Sequence, residues 1–353
     1  MRLTRYLKPQ TIAGMTQPIA SLRRYCLKLS FLRSVVVFFA VLVLCPLLVG
    51  ADDQAPETAV ELHGALTVQG NRLVDAHGKP IALRGMCLFV SQWISKYYNA
   101  NAIKWLRDDW HCTVIRVPMG VENGGYLDNP QVELAKVKTV VQACIDLGIY
   151  VIIDWHDDHA NIHVDQSKEF FDNMAKTYGK YPNVIFEPWN EPLKMNWKNI
   201  VKPYHEAVIP VIRAQSNNLI ICGTPTWSQD VDVATWNPLQ GPNIAYTLHF
   251  YAATHKESLR RKASLALSRG FTLFVTEWGT CESNGSGRLD AVETQKWLDF
   301  MDQNQISWCN FSIGDKVETS AALVPGAAVD GGWTPAMLTD SGRLVRGQLL
   351  KAN

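Results

Sequence analysis

The chain has 353 residues, 47% of them apolar and 19% charged, with a net charge of +1. That is a globular composition, long enough for one large α/β domain or two ordinary ones. Without the seven cations of its first 33 residues the charge becomes −6, which argues against a nucleic-acid partner and suits a soluble protein with a neutral substrate.

The N-terminal segment carries Arg2, Arg5, Lys8, Arg23, Arg24, Lys28 and Arg33, with no acid before Asp52. An uncharged run of 18 residues follows, "SVVVFFAVLVLCPLLVGA" (34–51), and then "DDQAPET". This order predicts an export signal over residues 1–51 and a secreted or periplasmic protein. The run is also long enough to span a bilayer. A signal anchor through residues 34–51 is therefore the alternative, and membrane contact is expected only if the leader stays uncleaved. Residues 52–61 read as a short polar tail and 62–353 as a single catalytic domain.

"GALTVQGNRLVDAHGKPIALRG" reads as a β-hairpin, with turn signals at Gly70-Asn71 and His77-Gly78. Eight strand patterns follow: "IALRGMCL" (81–88), "TVIRVPM" (113–119), "YVIIDWH" (150–156), "VIFEPWNEP" (184–192), "LIICGTP" (219–225), "IAYTLHFY" (244–251), "TLFVTEWG" (272–279) and "SWCNFSIG" (307–314). Amphipathic helical patterns lie between them. Such alternation implies a parallel sheet, and eight units over about 250 residues predict a (β/α)₈ barrel. A doubly wound open sheet is disfavoured because no Gly-rich phosphate loop follows the first strand. Most of the twelve Trp residues are expected in the core. Six cysteines follow the leader, Cys87, Cys112, Cys144, Cys222, Cys281 and Cys309. They form no CxxC pair, which argues against structural zinc, and they read as buried free thiols.

In a (β/α)₈ barrel the chemistry sits where strands end and loops begin. There the sequence collects Arg116, His156, Asn190 with Glu191, His249 with Tyr251, and Glu277. Glu191 and Glu277, on separate strands, supply the two carboxyl groups that glycoside hydrolysis needs. Arg116 and Tyr251 could keep one of them ionised. Asn190 could hold a sugar hydroxyl, and the histidines could orient hydroxyls or carboxylates. Glu187 precedes Glu191 by four residues. If the strand runs through to Asn190, Glu187 lies roughly 13 Å deeper, inside the barrel and far from its mouth, as a buried acid satisfied by hydrogen bonds. The segment "DWHDDHANIH" offers His156, Asp157, Asp158, His159 and His163 as metal ligands. It lacks HxH or HExxH spacing, so no metal is expected.

The stretches "LVDAHGKPIALRGM", "IKWLRDDWHCTVIRVPM", "IDLGIYVIIDWH", "YPNVIFEPWNEP", "KPYHEAVIPVIR", "GTPTWSQDVD", "IAYTLHFYAATH", "FVTEWGT" and "SAALVPGA" run in order along the chain. Together they resemble glycoside hydrolase family 5, in particular the endo-β-1,4-glucanases (cellulases) of its subfamily 2, over about residues 62–351. The resemblance implies a retaining mechanism with Glu191 as general acid/base and Glu277 as nucleophile. It implies Arg116, His156, Asn190, His249 and Tyr251 as support around the reacting sugar, and Trp93, Trp227, Lys316 and Glu318 as cleft-lining positions. It implies no cofactor, a β-glucan substrate and no protein partner.

Two departures stand out. Phe311 occupies a position where the family usually has a tryptophan near the substrate, and Phe89 one where some members carry histidine. Pro188-Trp189 also replaces a small apolar pair before the acid/base, and is expected to reshape the floor of the site. The same mechanism on β-mannan, mixed-linkage glucan or xyloglucan is the alternative function. A non-catalytic carbohydrate-binding barrel is a further one.

Overall fold

The computed structural model describes residues 57–351; the expected leader (1–51) and the first half of the expected polar tail (52–56) lie outside them. The end of that tail is not a tail. Residues Ala59–His63 form helix α1. Thr58 and Glu61 close it as a reciprocal capping box, each side chain bonding the other's backbone N–H.

Strands β1 (Thr67–Gln69) and β2 (Arg72–Val74) form the antiparallel hairpin. Eight parallel strands then close a barrel: β3 (Arg84–Leu88), β4 (Val114–Gly120), β5 (Tyr150–His156), β6 (Val184–Glu187), β7 (Ile220–Cys222), β8 (Ile244–Tyr251), β9 (Leu273–Gly279) and β10 (Ser307–Ile313), with β10 beside β3. Helices α2 (Ala100–Asp108), α3 (Pro130–Asp146), α4 (Val164–Tyr178) and α5 (Lys202–Arg213) follow the first four barrel strands. Two short turns, α6 (Pro225–Ser228) and α7 (Val231–Ala234), follow β7. Helices α8 (Glu257–Ser268), α9 (Ala291–Asn304) and α10 (Asp340–Leu349) complete the ring. Among the described residues no helix is long and apolar enough to cross a membrane.

Side-chain alternation along each strand builds two cores. Cys87, Val114, Tyr150, Ile152, Ile185, Ile221, Ala245, Phe274 and Cys309 fill the barrel interior, and Leu66, Leu73 and Ile81 from the hairpin region join them. The opposite strand faces pack against the helices. Eight of the twelve Trp residues are buried, including Trp155, Trp189, Trp278 and Trp308 at 1% exposure or less. All six cysteines of the described residues are free and buried.

β6 ends at Glu187, so the strand does not run through to Asn190. Pro188 has no N–H to continue the ladder, and the chain turns outward there. Glu187 is therefore the last residue of its strand. It is buried, as expected, but stands just beneath the barrel mouth rather than far from it. Trp189 does not form the floor of the site. Its ring lies 4.7 Å from that of Tyr204 on α5, and the Tyr204 hydroxyl donates to the Pro188 carbonyl at 2.6 Å. The Pro-Trp pair thus anchors the loop to the helix layer.

Candidate active site

The site is organised around Arg116, in the third position of β4 and wholly buried. Its Nε donates to Glu187 at 2.7 Å and its Nη1 to Glu277 at 2.9 Å. Nη2 donates to the Asn190 side-chain oxygen at 2.7 Å and lies 2.9 Å from Asp154. One guanidinium therefore serves three carboxyl groups and an amide oxygen, four contacts that five N–H donors can make and a lysine's three cannot. Asp154 was not anticipated. Period-two alternation in β5 puts it on the face of His156, whose Nδ1 it meets at 2.8 Å. Burial alone would lower the His156 pKa, but the Asp154 charge beside it raises it.

Glu277 sits near the end of β9, which carries an irregularity. Thr247 pairs with Phe274, yet His249 pairs with Glu277, so β9 has one residue more than its neighbour over that stretch. Such a bulge breaks strict alternation. It allows two consecutive side chains, Thr276 and Glu277, to reach groups inside the barrel. Thr276 Oγ1 bonds Glu187 at 2.6 Å and Glu277 bonds Arg116. The second oxygen of Glu277 accepts from the Tyr251 hydroxyl at 2.8 Å. Burial, with Glu277 and Glu191 nearby, pushes the Tyr251 pKa well up, so it stays a donor. Gly279 makes room for that ring, since a Cβ there would stand 2.4 Å from it.

Glu191 occupies the loop after β6, its side chain 20% exposed. Its Oε1 meets His249 Nδ1 at 2.8 Å, and His249 Nε2 meets Thr276 Oγ1 at 2.8 Å. Burial, then the charges of Glu277 and Asp158, raise the Glu191 pKa well above the ordinary carboxyl value. Burial and the nearby Arg116 and His156 push His249 well down, so it is a neutral imidazole. One oxygen of Glu191, one of Glu277 and a ring nitrogen of His249 lie within 4.8 Å of one another.

Two hollows meet at this pair. One, of about 460 Å³, is lined by Lys194, Trp227, Gln229, His255 and Ser283 as well as Glu191 and Glu277. The other, of about 250 Å³, adds Gln92, Trp93, Glu122, His156, Asp158 and Asn190. Trp227 reaches the first hollow through three successive left-handed residues, Thr226, Trp227 and Ser228 at φ 61°, 55° and 55°. That conformation is costly for a β-branched residue. Bonds to the Glu191 loop hold it: Trp227 N to Pro192 O at 2.8 Å and Ser228 Oγ to Asn190 O at 2.8 Å.

The remaining anticipated residues lie further out. Trp93 is 61% exposed at the edge of the second hollow. Lys316 extends that end, 5.5 Å above the Phe89 ring. Glu318 is half-buried, its side chain 7% exposed, and it holds Lys316 at 2.7 Å, with Ser320 on its other oxygen at 2.8 Å. Phe311 is buried and packs on Phe89, ring centroids 5.4 Å apart. In "DWHDDHANIH", Asp157 accepts from His163 Nδ1 (2.8 Å), Trp155 Nε1 (3.2 Å) and His159 N (2.7 Å), so it pins the loop. Lys194 and Thr276 are further site residues the sequence did not single out, and Asp158, read there only as a possible metal ligand, lines the second hollow.

A family model for "Cellulase (glycosyl hydrolase family 5)" matches residues 74–317. The chain is 47% identical over 326 residues to an endoglucanase of Clostridium saccharobutylicum, covering 90% of this chain and 73% of that one. It is 49% identical over 322 residues to endoglucanase A of Evansella cellulosilytica, covering 89% and 66%. A solved structure from Cytophaga hutchinsonii is 51% identical with a TM-score of 0.83, over 84% of this chain and 97% of that one. The catalytic domain of a Thermobifida fusca endoglucanase, solved in complex with cellotetraose, is 32% identical with a TM-score of 0.80, over 83% and 100%.

Proposed function

The chain belongs to the cellulase family, glycosyl hydrolase family 5, and from that premise we propose that it is a retaining endo-β-1,4-glucanase acting on cellulose-type chains. The observation that carries this reading is the close pairing of Glu191 and Glu277, with oxygens within 4.8 Å, in unlike surroundings. Retaining enzymes hold their carboxyl groups about 5–5.5 Å apart, whereas inverting ones need about 6.5–9.5 Å to admit a water.

Glu277, oriented by Arg116 and Tyr251, attacks the anomeric carbon. Glu191, whose raised pKa keeps it protonated, gives its proton to the departing glycosidic oxygen as that C–O bond breaks. The product is a glycosyl ester on Glu277. Glu191, now ionised, takes a proton from water, the water oxygen attacks the same carbon, and the ester bond breaks. Two inversions give retention. Trp93 and Trp227, exposed at the two hollows, offer ring faces for successive sugars. Glucan rather than mannan is supported by the endoglucanase relatives and by the cellotetraose complex. The basic-then-apolar order of residues 1–51 supports an exported enzyme, which N-terminal sequencing of the secreted protein would check.

Reducing-end release on carboxymethylcellulose, lichenan and β-mannan tests the reading. Carboxymethylcellulose is expected to be cut internally, with a rapid fall in viscosity; cleavage of mannan alone would overturn the substrate assignment. Glu277→Ala is expected to abolish turnover, with azide restoring cleavage of an activated aryl cellobioside to an inverted glycosyl azide. Absence of rescue would remove Glu277 as nucleophile.

A further inference from the structure

Glu191 is joined to Glu187 by an unbroken line of hydrogen bonds: Glu191 Oε1 to His249 Nδ1 at 2.8 Å, His249 Nε2 to Thr276 Oγ1 at 2.8 Å, and Thr276 Oγ1 to Glu187 Oε1 at 2.6 Å. His249, Thr276 and Glu187 are all 2% exposed or less. A neutral imidazole has one N–H and one lone pair, and a threonine hydroxyl has one hydrogen. The line therefore has only two complete arrangements. In one, Glu191 carries the proton and donates to Nδ1, Nε2–H donates to Thr276, and Thr276 donates to a Glu187 carboxylate. In the other, Glu187 carries the proton and donates to Thr276, Thr276 donates to Nε2, and Nδ1–H donates to a Glu191 carboxylate.

We infer that Glu187 and Thr276 are positioning residues that store and return the catalytic proton of Glu191 through His249. The transfer balances atom for atom. The Glu191 O–H breaks as His249 Nδ1–H forms. The Nε2–H breaks as a new O–H forms on Thr276, whose original O–H breaks as Glu187 gains its proton. Three bonds break and three form, the proton count is unchanged, and the negative charge moves from Glu187 to Glu191. This inference rests on the double-displacement reading, whose first half needs Glu191 protonated and whose second needs it ionised.

Groups on every side bear on the balance. Glu277, Asp158 and Asp154 favour a protonated Glu191, while Arg116 opposes it. Burial raises the Glu187 pKa to about 7, with Arg116 opposing and Asp154 assisting. Thr247 Oγ1 also meets Glu187 Oε1, at 3.2 Å. Loss of the Thr276 hydroxyl thus leaves Glu187 partnered but takes away the partner of His249 Nε2.

The test is Thr276→Val, which keeps the shape and removes the hydroxyl. A buried Nε2–H without an acceptor is unfavourable, so the ring takes the tautomer that donates to Glu191 and holds it ionised. The alkaline limb of kcat/KM on cellotetraose is expected to move down by about one pH unit, the size of one lost buried hydrogen bond. Glycosylation by 2,4-dinitrophenyl cellobioside, whose leaving group needs no acid, should show no such movement. Thr276→Ser should return the limb to its original place. An unmoved limb, an equal loss on both substrates at all pH, or no rescue by serine would overturn the inference. Should Thr276→Val fail to fold, Glu187→Gln supplies the same reading. Arg116 takes the amide oxygen, the NH₂ faces Thr276 and locks the second arrangement, and the limb again falls. NMR titration of the carbon-labelled Glu191 carboxyl in the wild type and either variant reads the shift without turnover. An inactive wild type would sink the functional reading, while an unshifted titration would sink this one.

Discussion

Arg116 Nη1 stands 2.9 Å from Glu277 Oε2 in the interior of the barrel, with the arginine side chain wholly buried and the glutamate 7% exposed. The same guanidinium neutralises Asp154 and Glu187, so its removal strands three acids at once. Arg116→Ala is expected to destabilise the fold by about 3–5 kcal/mol, the usual cost of breaking a buried pair from one side, and to abolish turnover. Arg116→Lys keeps a charge but not the fork, and should recover part of the stability without the activity. Urea unfolding midpoints of the three proteins check this; a loss under about 1 kcal/mol for Arg116→Ala would mean the carboxyls find other partners.

Glu191 links activity and stability in opposite senses. Its folded pKa is raised above the ordinary value, so the folded protein prefers the protonated acid. Stability from this group is complete below the unfolded pKa and is lost as pH rises through the folded one. Glu191→Gln, which cannot ionise, should therefore unfold at a higher temperature than the wild type at pH 8 and show no such gain at pH 4, while losing turnover of cellotetraose. Melting curves at the two pH values decide it, and an equal difference at both would show that ionisation of Glu191 is not the cause.

The barrel was legible because parallel strands buried on both faces write near-continuous apolar runs. β5 and β8 begin and end where those runs do, at residues 150–156 and 244–251. β6 was overextended because "VIFEPWNEP" stays apolar beyond Glu187, and only the missing N–H of Pro188 marked the turn. Arg116, His249, Tyr251 and the two glutamates were visible as polar residues in apolar strands. What they touch was not. The bulge that turns Thr276 and Glu277 inward together is a register fact about two strands. Alternation read along β9 alone would have put them on opposite faces. Asp154 was legible only through period-two alternation in β5, which puts it two residues before His156 on the same face.

Phe89 and Phe311, two departures from the family pattern, are one packing solution. Their rings lie 5.4 Å apart at 42°, and Trp93 and Lys316 lie 6.4 and 5.5 Å from the Phe89 ring. Phe311→Trp alone should overpack this cluster and cost about 1–3 kcal/mol. Combined with Phe89→Ala, which opens space, the cost should fall, giving a coupling of at least ~0.5 kcal/mol in a double-mutant cycle. Strict additivity of the two unfolding free energies would show that the rings do not constrain each other.

His205 on α5 should make the protein acid-sensitive well above the carboxyl range. It is fully buried, with Nε2 donating to the Gly223 carbonyl at 2.9 Å and Nδ1 without a partner among the described residues. The rings of Trp189 and Trp197 flank it at 6.2 and 6.1 Å. Burial lowers its pKa to about 4, against a smaller opposing pull from the Gly223 carbonyl. The unfolded chain takes a proton near pH 6.5 that the folded chain refuses until about pH 4, so stability falls as pH drops through that window. Full development of the difference corresponds to about 3 kcal/mol. His205→Gln retains a donor for Gly223 but cannot take a proton. Its urea midpoint should lie below that of the wild type at pH 7, and the two should converge as pH falls to 4.5. Parallel loss of stability in both proteins over that range would assign the acid sensitivity elsewhere, with His255, whose burial also lowers its pKa to about 4, the next residue to replace.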